Sequence, residues 1–246
     1  MSGHSKWSTI KRKKGETDAQ RAKIFTKMSR EITMAVQESG GDPGVNGKLR
    51  DLITKARVNN VPRDNIDRVI KKALGGDSKS NYESVIYEGY GPSGVAVIVE
   101  SLTDNRNRTA GDVRHYFDKF GGNLGTSGCV SFMFQEKGVI IVSREGTDED
   151  KLMEDAIEAG ASDFSADEED IAEITAEPSD LRSVREALEE AGYNILSAEV
   201  EQLPSTYAAI SDAESAQKMI RLLEALEDSD DVQNVWHNWE NEDEFI

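Results

Sequence analysis

Five cations, Lys6, Lys11, Arg12, Lys13 and Lys14, fall within nine residues that contain no acid. Such a run repels itself, and a phosphate backbone relieves that repulsion. Trp7 lies inside the run and offers a ring on which a base can stack. Arg21, Lys23 and Lys27 extend the positive charge into the following segment. These nine residues are candidate nucleic-acid contacts. A second polar stretch, TDNRNRT at 103–109, carries Arg106 and Arg108. It admits two readings. Asp104, Asn105 or Asn107 can cap a helix, or the two arginines can present their guanidinium forks to phosphate.

Other chemistry finds little support. The pattern GYGPSG at 89–94 matches G-x-G-x-x-G, yet a strand follows it where a dinucleotide site needs a helix. It therefore predicts a hairpin turn. His4, His115 and His237 share no ligand spacing and have no cysteine partner, so no metal site is expected. The lone Cys129 excludes an internal disulfide and is expected within a strand. No phosphate-binding P-loop, G-x-S-x-G or H-E-x-x-H is present. The sequence predicts a protein without catalytic residues, cofactor or small-molecule substrate.

The charge is unevenly distributed, and that asymmetry is more informative than the total of -18. Residues 1–76 hold 17 Lys or Arg against 8 Asp or Glu, a net of +9. Residues 77–136 hold 5 against 8, and residues 137–246 hold 7 against 31, a net of -24. The acidic end would repel phosphate and should face solvent or a basic protein. The apolar fraction of 37% with 20 glycines is that of a globular chain. No apolar run is long enough for a membrane span and no secretory leader is visible, so a cytoplasmic location is expected.

These residues must be positioned by three blocks. Residues 1–16 read as a basic arm. A helix then starts near Thr17 or Asp18, with a stripe of Ala22, Phe25, Met28, Ile32 and Val36, and ends at Gly40. A second helix carries Leu49, Leu52, Ile53 and Ala56, and a third, opened by Pro62, carries Ile66, Val69, Ile70, Ala73 and Leu74. Arg50, Lys55, Arg57, Arg63, Arg68, Lys71 and Lys72 are left for the outside. From Tyr82 the period becomes that of strands, in the order β-β-α-β, with the last strand over about Cys129–Gln135. Residues 137–205 read as a complete β-α-β-β-α-β unit, the ferredoxin-like order. A final α-β would complete the broken unit. The expected fold is thus α+β: an arm plus helical domain at 1–76, a split α/β domain at 77–136 and 206–246, and an acidic ferredoxin-like domain at 137–205 inserted into it. Sequential domains would be the plainer arrangement.

Several runs resemble the YebC/PmpR family: GHSKW at 3–7, IFTK at 24–27, NI at 65–66 after Pro62, YEGYGP at 87–92, GVAVIVE at 94–100, LTDNRNRT at 102–109, GGNLG at 121–125 and VQNV at 232–235. The likeness extends to about residue 240. Trp236 stands where the family pattern has Tyr, and the tail from Asn241 is particular to this chain. The resemblance implies a helical N-terminal domain and two α/β domains. It also implies a DNA-binding transcriptional regulator, or a factor that binds ribosomal RNA on the ribosome and relieves stalling at proline-rich stretches. Both targets are polyphosphates, and charge does not choose between them.

Overall fold

The computed structural model describes residues 18–75 and 81–245, with side chains from Ala22 onward. The calls on the arm lie outside the described residues. Helix α1 spans Asp18–Ser39, α2 Gly47–Val58 and α3 Arg63–Leu74. Their stripes meet in one core: Met28, Ile32, Ala35 and Val36 of α1, Leu49, Leu52 and Ala56 of α2, and Ile66 and Ala73 of α3. Ala22, expected on that stripe, is exposed. Buried Asn46 closes the α1–α2 turn. Its Oδ1 accepts from the Leu49 N–H at 3.0 Å, and its Nδ2 donates to the carbonyls of Ala35 and Gly40, each at 2.8 Å. One amide thus caps both helix ends.

Strands β1 (Glu83–Tyr90) and β2 (Ala96–Thr103) pair antiparallel through the tight turn at 91–94, so GYGPSG is a hairpin. Ser93 takes φ 58° there, next to Gly94 at φ 77°. Helix α4 (Arg106–Lys119) leads to the short β3 (Asn123–Leu124). Much later, α7 (Ala213–Glu227) and β8 (Val232–His237) join the same sheet, whose order is β3-β1-β2-β8. Helices α4 and α7 cover one face, where Val95, Val97 and Val99 pack against Val113, Phe117, Met219, Leu222 and Leu226.

The second sheet is built from β4 (Phe134–Ser143), β5 (Asp163–Ser165), β6 (Ile171–Ala176) and β7 (Ile195–Pro204), in the order β5-β6-β4-β7. Helices α5 (Glu149–Glu158) and α6 (Leu181–Glu190) lie on one face. Ile140, Val142, Ala172 and Ile174 pack there against Leu152, Ala156, Val184 and Leu188. By contact density the described chain divides into two compact units. One comprises Phe132–Thr206, and the other comprises the helical region, the first sheet and Tyr207 onward. The fold class expected from the sequence is the one observed.

One element differs. The strand expected over Cys129–Gln135 is absent: Ser131–Met133 form a 3₁₀ turn, and the chain becomes a strand only at Phe134, in the second sheet. The third strand of the first sheet is instead Asn123–Leu124, inside the glycine-rich loop. Glu88 supplies the reason. This buried carboxylate on β1 accepts from the backbone N–H groups of Gly128 at 2.7 Å, Val130 at 2.9 Å and Ser131 at 2.8 Å. Those donors are satisfied by a side chain, so no strand ladder is needed. Burial alone would raise the Glu88 pKa, but the three N–H bonds bring it below the usual carboxylate value. Cys129 accordingly lies in a loop.

Candidate nucleic-acid interface

Lys23, Lys27 and Arg30 follow one another four and three residues apart, and so share a line along α1. The helix turns that line toward the C-terminal end of α7. Lys23 Nζ lies 2.7 Å from Asp228 Oδ1, and Lys27 Nζ donates to the Glu227 carbonyl at 2.7 Å. Arg30 Nη1 donates to the carbonyls of Asp230 at 2.8 Å and Leu102 at 3.2 Å, and lies 2.5 Å from Asp231 Oδ1. Exposed carbonyls at a helix C-terminus carry partial negative charge, which draws cations. Lys23 and Lys27, expected at phosphate, thus each meet a partner at the end of α7.

The stretch 103–109 is a structural joint as well. Asn105 caps α4: its Oδ1 accepts from the Arg108 N–H at 3.1 Å. Thr103 Oγ1 accepts from the Asn105 N–H at 2.9 Å. Arg108 Nη2 lies 3.0 Å from Asp104 Oδ1 and 2.8 Å from Asp231 Oδ2. Thr109 Oγ1 donates to Asp231 Oδ2 at 2.7 Å. Burial alone would raise the Asp231 pKa, but donation from Arg108, Thr109 and Arg30 holds it down to about 2. Of the two arginines, Arg108 is engaged with two acids. Arg106 is exposed, and its backbone carbonyl accepts from the Tyr87 hydroxyl at 3.3 Å.

Lys6, Trp7, Lys11, Arg12, Lys13 and Lys14 lie outside the described residues, as does the side chain of Arg21. The described residues nonetheless present a cationic surface that the sequence reading left as mere exterior. Arg57 on α2 and Arg68, Lys71 and Lys72 on α3 are all exposed. Positions 68, 71 and 72 recur at helical spacing and share one face. Arg63, at the start of α3, has Asp67 3.8 Å away, and Lys48 has Glu38 at 3.1 Å. Arg57, Arg68, Lys71 and Lys72 have no ion-pair partner among the described residues. The signal that could have singled them out was available: each falls off the apolar stripe of a short helix within the positively charged segment.

The comparisons with known proteins bear on this geometry. Residues 5–76 match the profile of the TACO1/YebC protein N-terminal domain, and residues 82–239 match that of the TACO1/YebC second and third domain. The chain belongs to the TACO1/YebC family. A relative from Finegoldia magna is 57% identical over 242 residues, covering 98% of this chain and all of its own. Another, from Persephonella marina, is 53% identical over 98% of this chain and 96% of its own. Both bear the name "probable transcriptional regulatory protein". The crystal structure of a conserved hypothetical protein from Aquifex aeolicus is 48% identical, with a TM-score of 0.84 over 92% of this chain and 93% of that one. Among the described residues no helix is long and apolar enough to cross a membrane.

Proposed function

We propose that this chain is a nucleic-acid-binding regulator of gene expression that works by binding and not by catalysis. One observation carries the reading. Arg57, Arg68, Lys71 and Lys72 project from the helical region with no acid to neutralise them among the described residues, while most acids are gathered at the other end of the sequence. Cations left unpaired on a rigid helix pair contact phosphates and release counterions, which supplies affinity without sequence preference. The arm cations Lys6, Lys11, Arg12, Lys13 and Lys14 add to this surface, Trp7 stacks on a base, and Arg106 lies at a second edge. Relatives named as probable transcriptional regulators support promoter DNA as the target. Ribosomal RNA presents the same phosphate chemistry and is the alternative target.

The test is a salt series of binding to duplex DNA and, separately, to purified ribosomes, with wild type and the Arg57→Ala, Arg68→Ala, Lys71→Ala, Lys72→Ala variant. Each lost phosphate contact should flatten the log–log salt slope by about 0.9 on duplex DNA. The quadruple variant should therefore flatten it by about 3.6 units while folding normally. A slope change confined to one of the two targets favours that target, and a change on both supports phosphate binding alone. An unchanged slope on both overturns the assignment of this surface.

A further inference from the structure

The outer strands of the two sheets differ in length. β3 has two residues and β5 three, and β8 has Ala208 bridged to Trp239 just past its end. β7 runs for ten residues, Ile195–Pro204, and among the described residues only β4 pairs with it. The register shows which of its backbone groups are left over. Pro204 stands opposite Phe134, and one step further the Ser205 N–H donates to the Met133 carbonyl at 2.8 Å. Antiparallel ladders alternate, so residues 199, 201 and 203 turn their N–H and C=O groups toward β4, whereas Ala198, Val200 and Gln202 turn theirs away. An outer strand of this length is a template for another strand unless something blocks it. The blocks here are at its ends. Pro204 lacks an N–H, and a bulge shifts the register between Ile141 and Val142, opposite Ser197 and Ile195. Between them the edge carries Val200, which is 41% exposed.

We infer that the β7 edge takes an extended, basic segment of another protein by strand addition. Main-chain bonds to Ala198, Val200 and Gln202 hold the added strand and set its register. Charge selects the occupant. Residues 132–206 hold 21 Asp or Glu against 5 Lys or Arg. Four of those five cations already face an acid: Lys137 meets Glu177 at 2.6 Å, Arg144 meets Glu149, Arg182 meets Glu186 at 3.3 Å and Arg185 meets Glu189 at 3.6 Å. The excess of acid around the edge draws a cationic chain and repels an anionic one. A second copy of this chain is the poor occupant. Pairing two β7 strands about Val200 sets Glu199 of one copy against Glu201 of the other, and like charges directly opposite are destabilising. The residue facing Val200 should be apolar and β-branched, because it packs beside an exposed valine. Strand addition here does not depend on nucleic-acid binding by the cationic helices.

The experiment titrates the full isotope-labelled chain, at physiological salt, with a capped peptide that alternates lysine and valine. Amide exchange at 198, 200 and 202 should slow at least tenfold at saturation, while exchange at 199 and 201 stays as it was. The same peptide methylated at every backbone nitrogen keeps its charge and loses its donors, and it should bind at least tenfold more weakly. A peptide that alternates glutamate and valine should not bind. Val200→Pro removes an N–H on the side away from β4, a place where an outer strand tolerates proline, so this variant should fold and lose the protection. Equal binding of the methylated peptide would reduce the effect to general acidity and overturn the proposal. Equal binding of the glutamate peptide would overturn the choice of a basic occupant. Amides at 198, 200 and 202 that are already protected in the free chain would show the edge to be filled by the chain itself or, where protection grows with concentration, by a second copy; either result overturns the proposal.

Discussion

The guanidinium of Arg30, on the first helix, lies 2.5 Å from the carboxylate of Asp231, on the turn before the last strand. Some 200 residues of chain separate them. Arg108 and Thr109 reach the other oxygen of the same carboxylate, so one aspartate ties the helical region, α4 and the β8 edge together. Removing it leaves the mostly buried Arg30 without its charge partner, which is the costly way to break such a cluster. Asp231→Ala should lower stability by about 3 kcal/mol in urea unfolding. A loss near zero would show that the cluster is incidental.

The same carboxylate makes an acid-limb prediction. Its folded pKa, held at about 2, is below the unfolded value of roughly 4. A depressed acid contributes its full share above the unfolded pKa and loses it as pH falls through the folded one. Roughly 2 kcal/mol should therefore vanish between about pH 4 and pH 2. Asp231→Asn should show a correspondingly flatter acid limb in a pH series of urea midpoints.

Arg106 and Arg108 should separate cleanly. Arg108→Ala removes contacts to Asp104 and Asp231 and should lower the melting temperature by a few degrees. Arg106→Ala touches no side-chain partner among the described residues and should leave melting unchanged while weakening phosphate binding. Thermal melts beside DNA and ribosome retention decide this. Equal melting losses would make both arginines structural.

Lys11, Arg12, Lys13 and Lys14 exchanged together for glutamate should flatten the salt slope on duplex DNA by about 3.6 units. Lys23→Ala with Lys27→Ala should instead change stability and leave the slope nearly intact, since both lysines hold the end of α7. A slope change of the same size in both variants would contradict the division of labour along this segment.

Glu88→Ala strands three backbone donors beneath the loop at 128–131. Each orphaned donor costs about 1–3 kcal/mol unless water enters. The expected loss is about 3 kcal/mol, with faster hydrogen exchange confined to 125–133. Residues 132–206 expressed alone should fold cooperatively, and better than 137–205, because β4 begins pairing with β7 at Phe134 and Pro204. A circular dichroism melt without a transition would contradict this.

What the sequence determined by itself was most of the local structure. The 3.6-residue period of α1 to α3, the hairpin at 91–94 and the β-α-β-β-α-β order after Gly138 are written in near neighbours, and the observed elements match them to within a few residues. The separation of positive and negative ends was equally legible. Tertiary structure decided which charges remain available. Lys23, Lys27 and Arg108 look as free in the sequence as Arg57, Arg68, Lys71 and Lys72. Only folding brings Asp228 against Lys23, the Glu227 carbonyl against Lys27 and Asp231 against Arg108. It also kept residues 129–133 out of the strand expected there, because a carboxylate some 40 positions away took the N–H groups of Gly128, Val130 and Ser131. Hydrophobic periodicity reports a residue's own element, whereas ion pairs and buried caps join residues whose separation along the chain carries no local trace.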